Sequence, residues 1–181
     1  MKKIILVIIC LFFSTNLANA LVEVDITRGN LDPLPIAVSP LYIEPGSEDI
    51  KTNDTVIKNV GEKISEIIEV NFKRSGLFNP LKKDSFVQNP DIAHVKPRFE
   101  DWRLIKAQAL VTGKVTVSSE KLRVEFRLWD VVAAKEMVAL AFSTTPENWR
   151  RVAHMISDKI YQRLTGEEGY FDTRIIYVAE S

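Results

Sequence analysis

His94 and His154 are the only histidines and Cys10 the only cysteine, so the side chains best suited to metal ligation or nucleophilic attack are few and far apart. There is no HExxH pair, and the single thiol lies in an apolar N-terminal run, so a zinc or iron site has no ligand set to draw on. Ser65, Ser119 and Ser157 stand outside any GxSxG setting, and no GxGxxG or GxxxxGK[ST] cradle is present. Hydrolase, dinucleotide and P-loop chemistry therefore have no local support. Glu62, Glu66 and Glu69 are spaced to share one face of a helix, which reads as a solvated face rather than as paired carboxylates for acid and base work. Trp102, Trp129 and Trp149 are expected in a core or an interface rather than as stacking platforms. No catalytic residue, cofactor-binding residue or metal ligand is assigned. The chain reads as one built to hold shape and meet partners.

The start of the chain directs it out of the cytoplasm. Lys2 and Lys3 precede an apolar run over residues 4–13, and Ala18-Asn19-Ala20 offers small residues where a signal peptidase reads. Residues 1–20 are expected to be removed, leaving Leu21 at the mature N-terminus. No later segment approaches the roughly 20 apolar residues of a membrane-spanning helix. Cys10 falls within the removed run, and bulky Ile8 and Ile9 before it argue against its acylation, so the mature domain must rely on its core without disulfides. About 160 residues remain, the size of one domain. Lys and Arg number 24 and so do Asp and Glu; losing Lys2 and Lys3 leaves a slight negative balance, with no broad face for nucleic acid. Lys82-Lys83 and Arg150-Arg151 are short clusters of solvated surface.

Residues 21–26 alternate apolar and polar side chains, the period of an extended strand. Residues 35–41 read as a buried strand, with Pro40 marking its exit, and Pro45-Gly46-Ser47 as a turn. From Asp54 the period becomes helical: Ile57, Val60, Ile64, Ile67, Ile68 and Phe72 fall on one side, Asn53, Asp54 or Thr55 can cap the start, and Gly76 the end. Gly61 inside this helix lowers helix propensity by about 1 kcal/mol relative to Ala, which points to a close neighbour. Residues 77–81 read as a compact apolar turn, residues 82–97 as an irregular and mobile excursion, and residues 101–108 as a short helix. Residues 109–117, 122–128 and 136–142 are expected to form an antiparallel meander, the second with Arg123, Glu125 and Arg127 on one face. Thr145 as cap and Pro146 at the first position begin a second amphipathic helix that runs to Gly166. The expected fold is α/β: a mixed or largely antiparallel sheet with two long amphipathic helices packed on one face. Residues 169–181 form a further extended apolar stretch in need of a partner.

Residues 151–166, followed by Gly169, Phe171, Thr173-Arg174-Ile175 and Tyr177-Val178, resemble the junction between the two domains of the TolB family, periplasmic components of the Tol-Pal system. The likeness extends through Gly113-Lys114-Val115, residues 122–131, Glu23-Val24-Asp25-Ile26 and Pro35-Ile36-Ala37-Val38, and so covers nearly the whole mature chain. The resemblance implies an N-terminal α/β domain over residues 21–168 and a β-propeller that would begin at residues 169–181, where this sequence is truncated. It implies a periplasmic location and a noncatalytic role in outer-membrane integrity and cell division. It also implies that residues 21–35 meet a TolA-like inner-membrane protein, through Val22, Glu23, Val24, Asp25, Ile26, Arg28 and Pro33. Binding to the lipoprotein Pal belongs to the propeller and is not expected of this chain.

A physical route exists for the first contact. Val22, Val24 and Ile26 can enter a partner's sheet as an added strand, with backbone bonds for affinity and alternate side chains for specificity. The same residues can instead complete the domain's own sheet. Two further readings stay open at this stage: a periplasmic small-ligand binder or enzyme with a dispersed site, and an accessory domain with no partner of its own.

Overall fold

The computed structural model describes residues 32–51 and 56–173 of the chain. Its centre is strand β1 (Leu34–Val38), where Ile36, Ala37 and Val38 have no exposed surface. A strand covered on both faces reads as a continuous apolar run rather than an alternation, as residues 35–38 do. β1 lies parallel to β5 (Phe78–Pro80) on one side and to β6 (Ala109–Val117) on the other, with Ile36 level with Pro80 and Ala109. The strand stops before Pro40, and the short β2 (Tyr42–Ile43) then continues parallel to β6 at Lys114 and Val115.

β6, β7 (Leu122–Asp130) and β8 (Lys135–Thr144) form the expected antiparallel meander, and the sheet runs β5-β1-β6-β7-β8. It is therefore mixed. Leu122, Val124, Phe126 and Leu128 turn to one face, where two long helices lie: α1 (Val60–Ser75) and α4 (Trp149–Thr165). Ile64, Ile68 and Phe72 of α1 and Ile156, Ile160 and Leu164 of α4 are fully buried in that layer. The expected α/β architecture is present, with both long helices on the same face.

Four local expectations need correction. The first long helix begins at Val60, not near Asp54: Ile57 belongs to strand β4 (Val56–Ile57), which pairs antiparallel with β3 (Ile50–Lys51). Asn59, at φ 53°, turns the chain through the left-handed region between strand and helix. Ile57 reaches the core from this strand, so its spacing from Val60 imitates helical periodicity. The candidate caps Asn53, Asp54 and Thr55 lie outside the described residues. Gly76 does end α1, at φ 73°.

The apolar turn after α1 contains β5, whose Phe78 is buried and whose backbone gives β1 its outer partner. The excursion over residues 82–97 holds a 3-10 turn (Lys83–Ser85) and the short helix α2 (Pro90–Ala93), and it is followed by α3 (Phe99–Leu104), which starts earlier than expected. These pieces cover part of the second sheet face, where Trp102, Leu110, Ala37 and Val131 form a smaller core. The second long helix opens with a 3-10 turn (Pro146–Asn148), and its α-helical part starts only at Trp149. Thr145 makes no side-chain capping bond to the backbone; its hydroxyl instead receives the Asn148 amide at 3.1 Å.

Candidate functional site

Of the residues expected to contact a partner, Val22, Glu23, Val24, Asp25, Ile26 and Arg28 lie outside the described residues. Pro33 is described: it is exposed and stands immediately before β1. Leu34 and Pro35, at the end of the expected 21–35 segment, are part of β1 itself, and Leu34 is buried. The segment's downstream limit is therefore the edge of the fold.

Among the described residues, the serines, histidines and helix carboxylates singled out in the sequence are spread over different parts of the fold. Asn71 of α1 donates to Ser157 Oγ at 2.9 Å, and its amide nitrogen lies 3.0 Å from His154 Nδ1. Ser157 passes its own proton to the Ala153 carbonyl at 2.9 Å, so serine and imidazole are linked through an amide rather than as nucleophile and base. This polar seam joins the two long helices. Ser65 is fully buried, with its hydroxyl 3.0 Å from the carbonyls of both Ser39 and Gly61, while Ser119 is exposed in the β6–β7 turn. Glu66 and Glu69 each meet a lysine, Lys63 at 2.8 Å and Lys83 at 3.5 Å, rather than each other. Among the described residues there is no group of three His, Cys, Asp or Glu side chains placed to hold a metal ion.

The sheet's second face is more informative. Lys114 on β6 lies 3.9 Å from Glu125 on β7 and 3.5 Å from Glu44 after β2, while Thr116 donates to Glu44 at 2.6 Å. The Thr116 hydroxyl, and then the Lys114 ammonium, hold the Glu44 carboxyl below its ordinary range. Arg123 pairs with Glu125 at 3.0 Å, and Arg127 with Glu136 of β8 at 3.2 Å. Arg127 also donates to the His94 carbonyl at 2.9 Å, and the His94 ring stacks on Tyr42 with centroids 4.4 Å apart. A depression of about 490 Å³ opens here, floored by Lys114, Glu125 and Arg127 and walled by Val95, Ala139 and Ala141. The alternation of residues 122–128 already placed Arg123, Glu125 and Arg127 together. Glu44 and His94 reach them through the tertiary fold, for which the sequence carries no local signal.

These features define a class: an α/β domain in which two long helices cover one face of a mixed sheet and ion-pair ladders cross the other. No helix among the described residues is long and apolar enough to cross a membrane. A family model described as the TolB amino-terminal domain matches residues 22–137. The chain belongs to that family.

The chain is 66% identical over 163 residues to the Tol-Pal system protein TolB of Pelagibacter ubique (strain HTCC1062), a match covering 90% of this chain and 36% of that relative. Among solved structures it resembles TolB from Acinetobacter baumannii, with a TM-score of 0.62 and 22% identity over 84% of this chain and 33% of the other. A hypothetical protein from Chlamydia trachomatis shares the fold along its whole length, with a TM-score of 0.52 at 11% identity over 75% of this chain. The chain thus spans about a third of the length of the TolB proteins it matches.

Proposed function

We propose that this domain is a noncatalytic, periplasmic interaction module of a Tol-Pal envelope assembly. In this reading it joins the assembly to a TolA-like inner-membrane protein through residues 21–35 and supports outer-membrane integrity during cell division. Family membership over residues 22–137 is the observation that carries the reading. The fold adds a mechanical reason. The segment runs through exposed Pro33 straight into β1, which is bonded on both sides, so tension on a bound segment passes into the middle of the sheet. The alternation of Val22, Val24 and Ile26 with Glu23 and Asp25 suits strand addition to a partner's sheet. Binding of Pal is assigned to the propeller of longer relatives and not to this domain. The second-face depression has the volume for a small-ligand site, but there the cations already face carboxylates.

The test is calorimetric titration of the chain from Leu21 onward with the C-terminal periplasmic domain of TolA, repeated with residues 21–32 deleted so that β1 stays intact. Saturable binding lost with the segment supports the reading. Unchanged affinity after deletion overturns the role of these residues, and no binding by either form overturns the TolA link.

A further inference from the structure

We infer that Asp158 straps the chain leaving α4 back onto that helix, so that the exit at Thr173 is a fixed joint rather than a loose linker. Residues 166–169 read Gly-Glu-Glu-Gly, a composition that suits loose chain, and residues 166–173 form no helix or strand. Their contacts nevertheless run in one direction along α4. Gly166, at φ 79°, reverses the chain, and the Thr165 hydroxyl accepts the Glu167 amide at 3.1 Å. Gly169 then lies against Asp158, and Asp172 reaches Arg151, about two turns back towards the start of the helix.

The Asp158 carboxylate holds this path. Oδ1 accepts the Phe171 amide at 2.7 Å and Oδ2 the Asp172 amide at 3.1 Å, so each oxygen takes one of two successive backbone N–H groups. Bonds to an ionised acceptor are about twice as strong as neutral ones. The Arg151–Asp172 pair is 3.1 Å long, but the arginine is 52% exposed, and a pair in that setting adds little. Two apposed surfaces complete the strap. A Cβ built on Gly169 would overlap Asp158 Cα, so the segment and the helix touch backbone to backbone. Phe171 packs edge-on against the buried Tyr161, with ring centroids 5.8 Å apart, and joins the rim of the main core. The chain therefore leaves next to Arg151, which shares a recess with Thr144 at the end of β8.

A fixed exit has a consequence for longer chains, since this one spans about a third of the length of the TolB proteins it matches. Sequence carried beyond a loose linker takes its orientation independently of the domain. Beyond this strap it starts from a heading set by α4. Asp158 is thus a positioning residue, and its role does not depend on residues 21–35 binding TolA.

The experiment is NMR relaxation and amide exchange on the full chain and on three variants, with the β6–β7 amides reporting that each stays folded. In the parent, residues 169–172 are expected to show order parameters of about 0.8, as in rigid backbone, with slowed exchange at the Phe171 and Asp172 amides. Asp158→Ala removes both acceptors, and Gly169→Ala places a methyl group where the helix backbone stands. Each should lower the order parameters of residues 170–173 below about 0.6 and quicken exchange at both amides at least tenfold. Asp158→Asn keeps one acceptor oxygen and turns an N–H group towards the other amide, so exchange should quicken mainly at one of the two. Parent values already below about 0.6 would overturn the fixed joint. Residues 170–173 as ordered in Asp158→Ala as in the parent would overturn the role of Asp158 and leave the aromatic contact as the anchor.

Discussion

Gly61 of α1 lies directly against the main-chain carbonyl of Leu41, so closely that a Cβ built on Gly61 would overlap the Leu41 oxygen and press on Ile43 at 3.2 Å. The contact joins the first turn of the helix to the crossing between β1 and β2. It is reinforced by Ser65, one turn on, whose hydroxyl accepts the Leu41 amide at 3.1 Å.

Gly61→Ala therefore sets two effects against each other. Replacing glycine inside a helix should gain about 1 kcal/mol, but the methyl group meets backbone that cannot rotate away. Overpacking against fixed backbone costs about 1–3 kcal/mol, which offsets the gain, so the variant is expected to be less stable. Urea unfolding checks the sign against Val70→Ala, at a 53% exposed position of the same helix, where the change should be within about 0.5 kcal/mol. A stabilised Gly61→Ala protein would show that the helix can shift away from β2.

Ile156 has no exposed surface and sits where α4 meets the sheet. Truncation to alanine removes buried methyl groups and leaves a cavity between rigid layers, at an expected cost of about 2–5 kcal/mol. Denaturant midpoints measured with an unchanged slope would confirm that the loss lies in packing. A cost below about 1 kcal/mol would mean that α4 is loosely held.

Much of the fold was readable because its signals are local and long. β6 and β7 and the body of α4 follow alternations or helical stripes of seven residues or more, and Gly61 announced a close contact by being costly where it stands. β4 and β5 were not readable: with two and three residues they carry no period, and they exist because Ile50 and β1 supply partners from elsewhere in the chain. The same limit applies to the second sheet face. Arg123, Glu125 and Arg127 could be aligned from the sequence, but their connection to Glu44 and His94 depends on how β2 and α2 are laid across the sheet. Residues 21–31, which carry most of the expected partner contact, lie outside the described residues.

Two carboxylates should tilt stability with pH in opposite directions. Burial pushes the Glu69 carboxyl up from 4.5; Lys83, 3.5 Å from Oε1, attracts the charge but does not complete a hydrogen bond to that atom. The folded state then holds this proton more tightly than the unfolded chain, so Glu69 favours folding below its unfolded pKa and that advantage is lost as pH rises through the folded value. Glu44 is lowered by Thr116 and then Lys114, so its contribution is present above 4.5 and is lost as pH falls through its folded pKa. Urea midpoints followed from about pH 3.5 to about pH 7 should show Glu69→Gln gaining on the parent as pH rises and Glu44→Gln losing ground. Parallel curves for either variant would remove that group from the balance.

Gln88 shows how an irregular segment can be held without secondary structure. Its side chain is 3% exposed and makes three bonds at once. Oε1 accepts the Arg98 amide at 2.9 Å and the Trp102 indole N–H at 3.1 Å, and Nε2 donates to the Lys96 carbonyl at 3.2 Å. Trp102 is itself 1% exposed and packs edge-on against Phe86, so its indole N–H has no ready access to water. Gln88→Ala leaves that donor and two backbone groups without partners, at an expected cost of about 2–4 kcal/mol. Gln88→Met restores much of the volume but none of the bonds, so it should recover only a minor part of the loss if hydrogen bonding dominates. Hydrogen exchange should then quicken at the Arg98 amide and the Trp102 indole while the β6–β7 ladder stays protected, because the second sheet face is held by a smaller core than the helix layer. Exchange that quickens equally throughout the sheet would instead make residues 82–97 part of the domain's global folding unit.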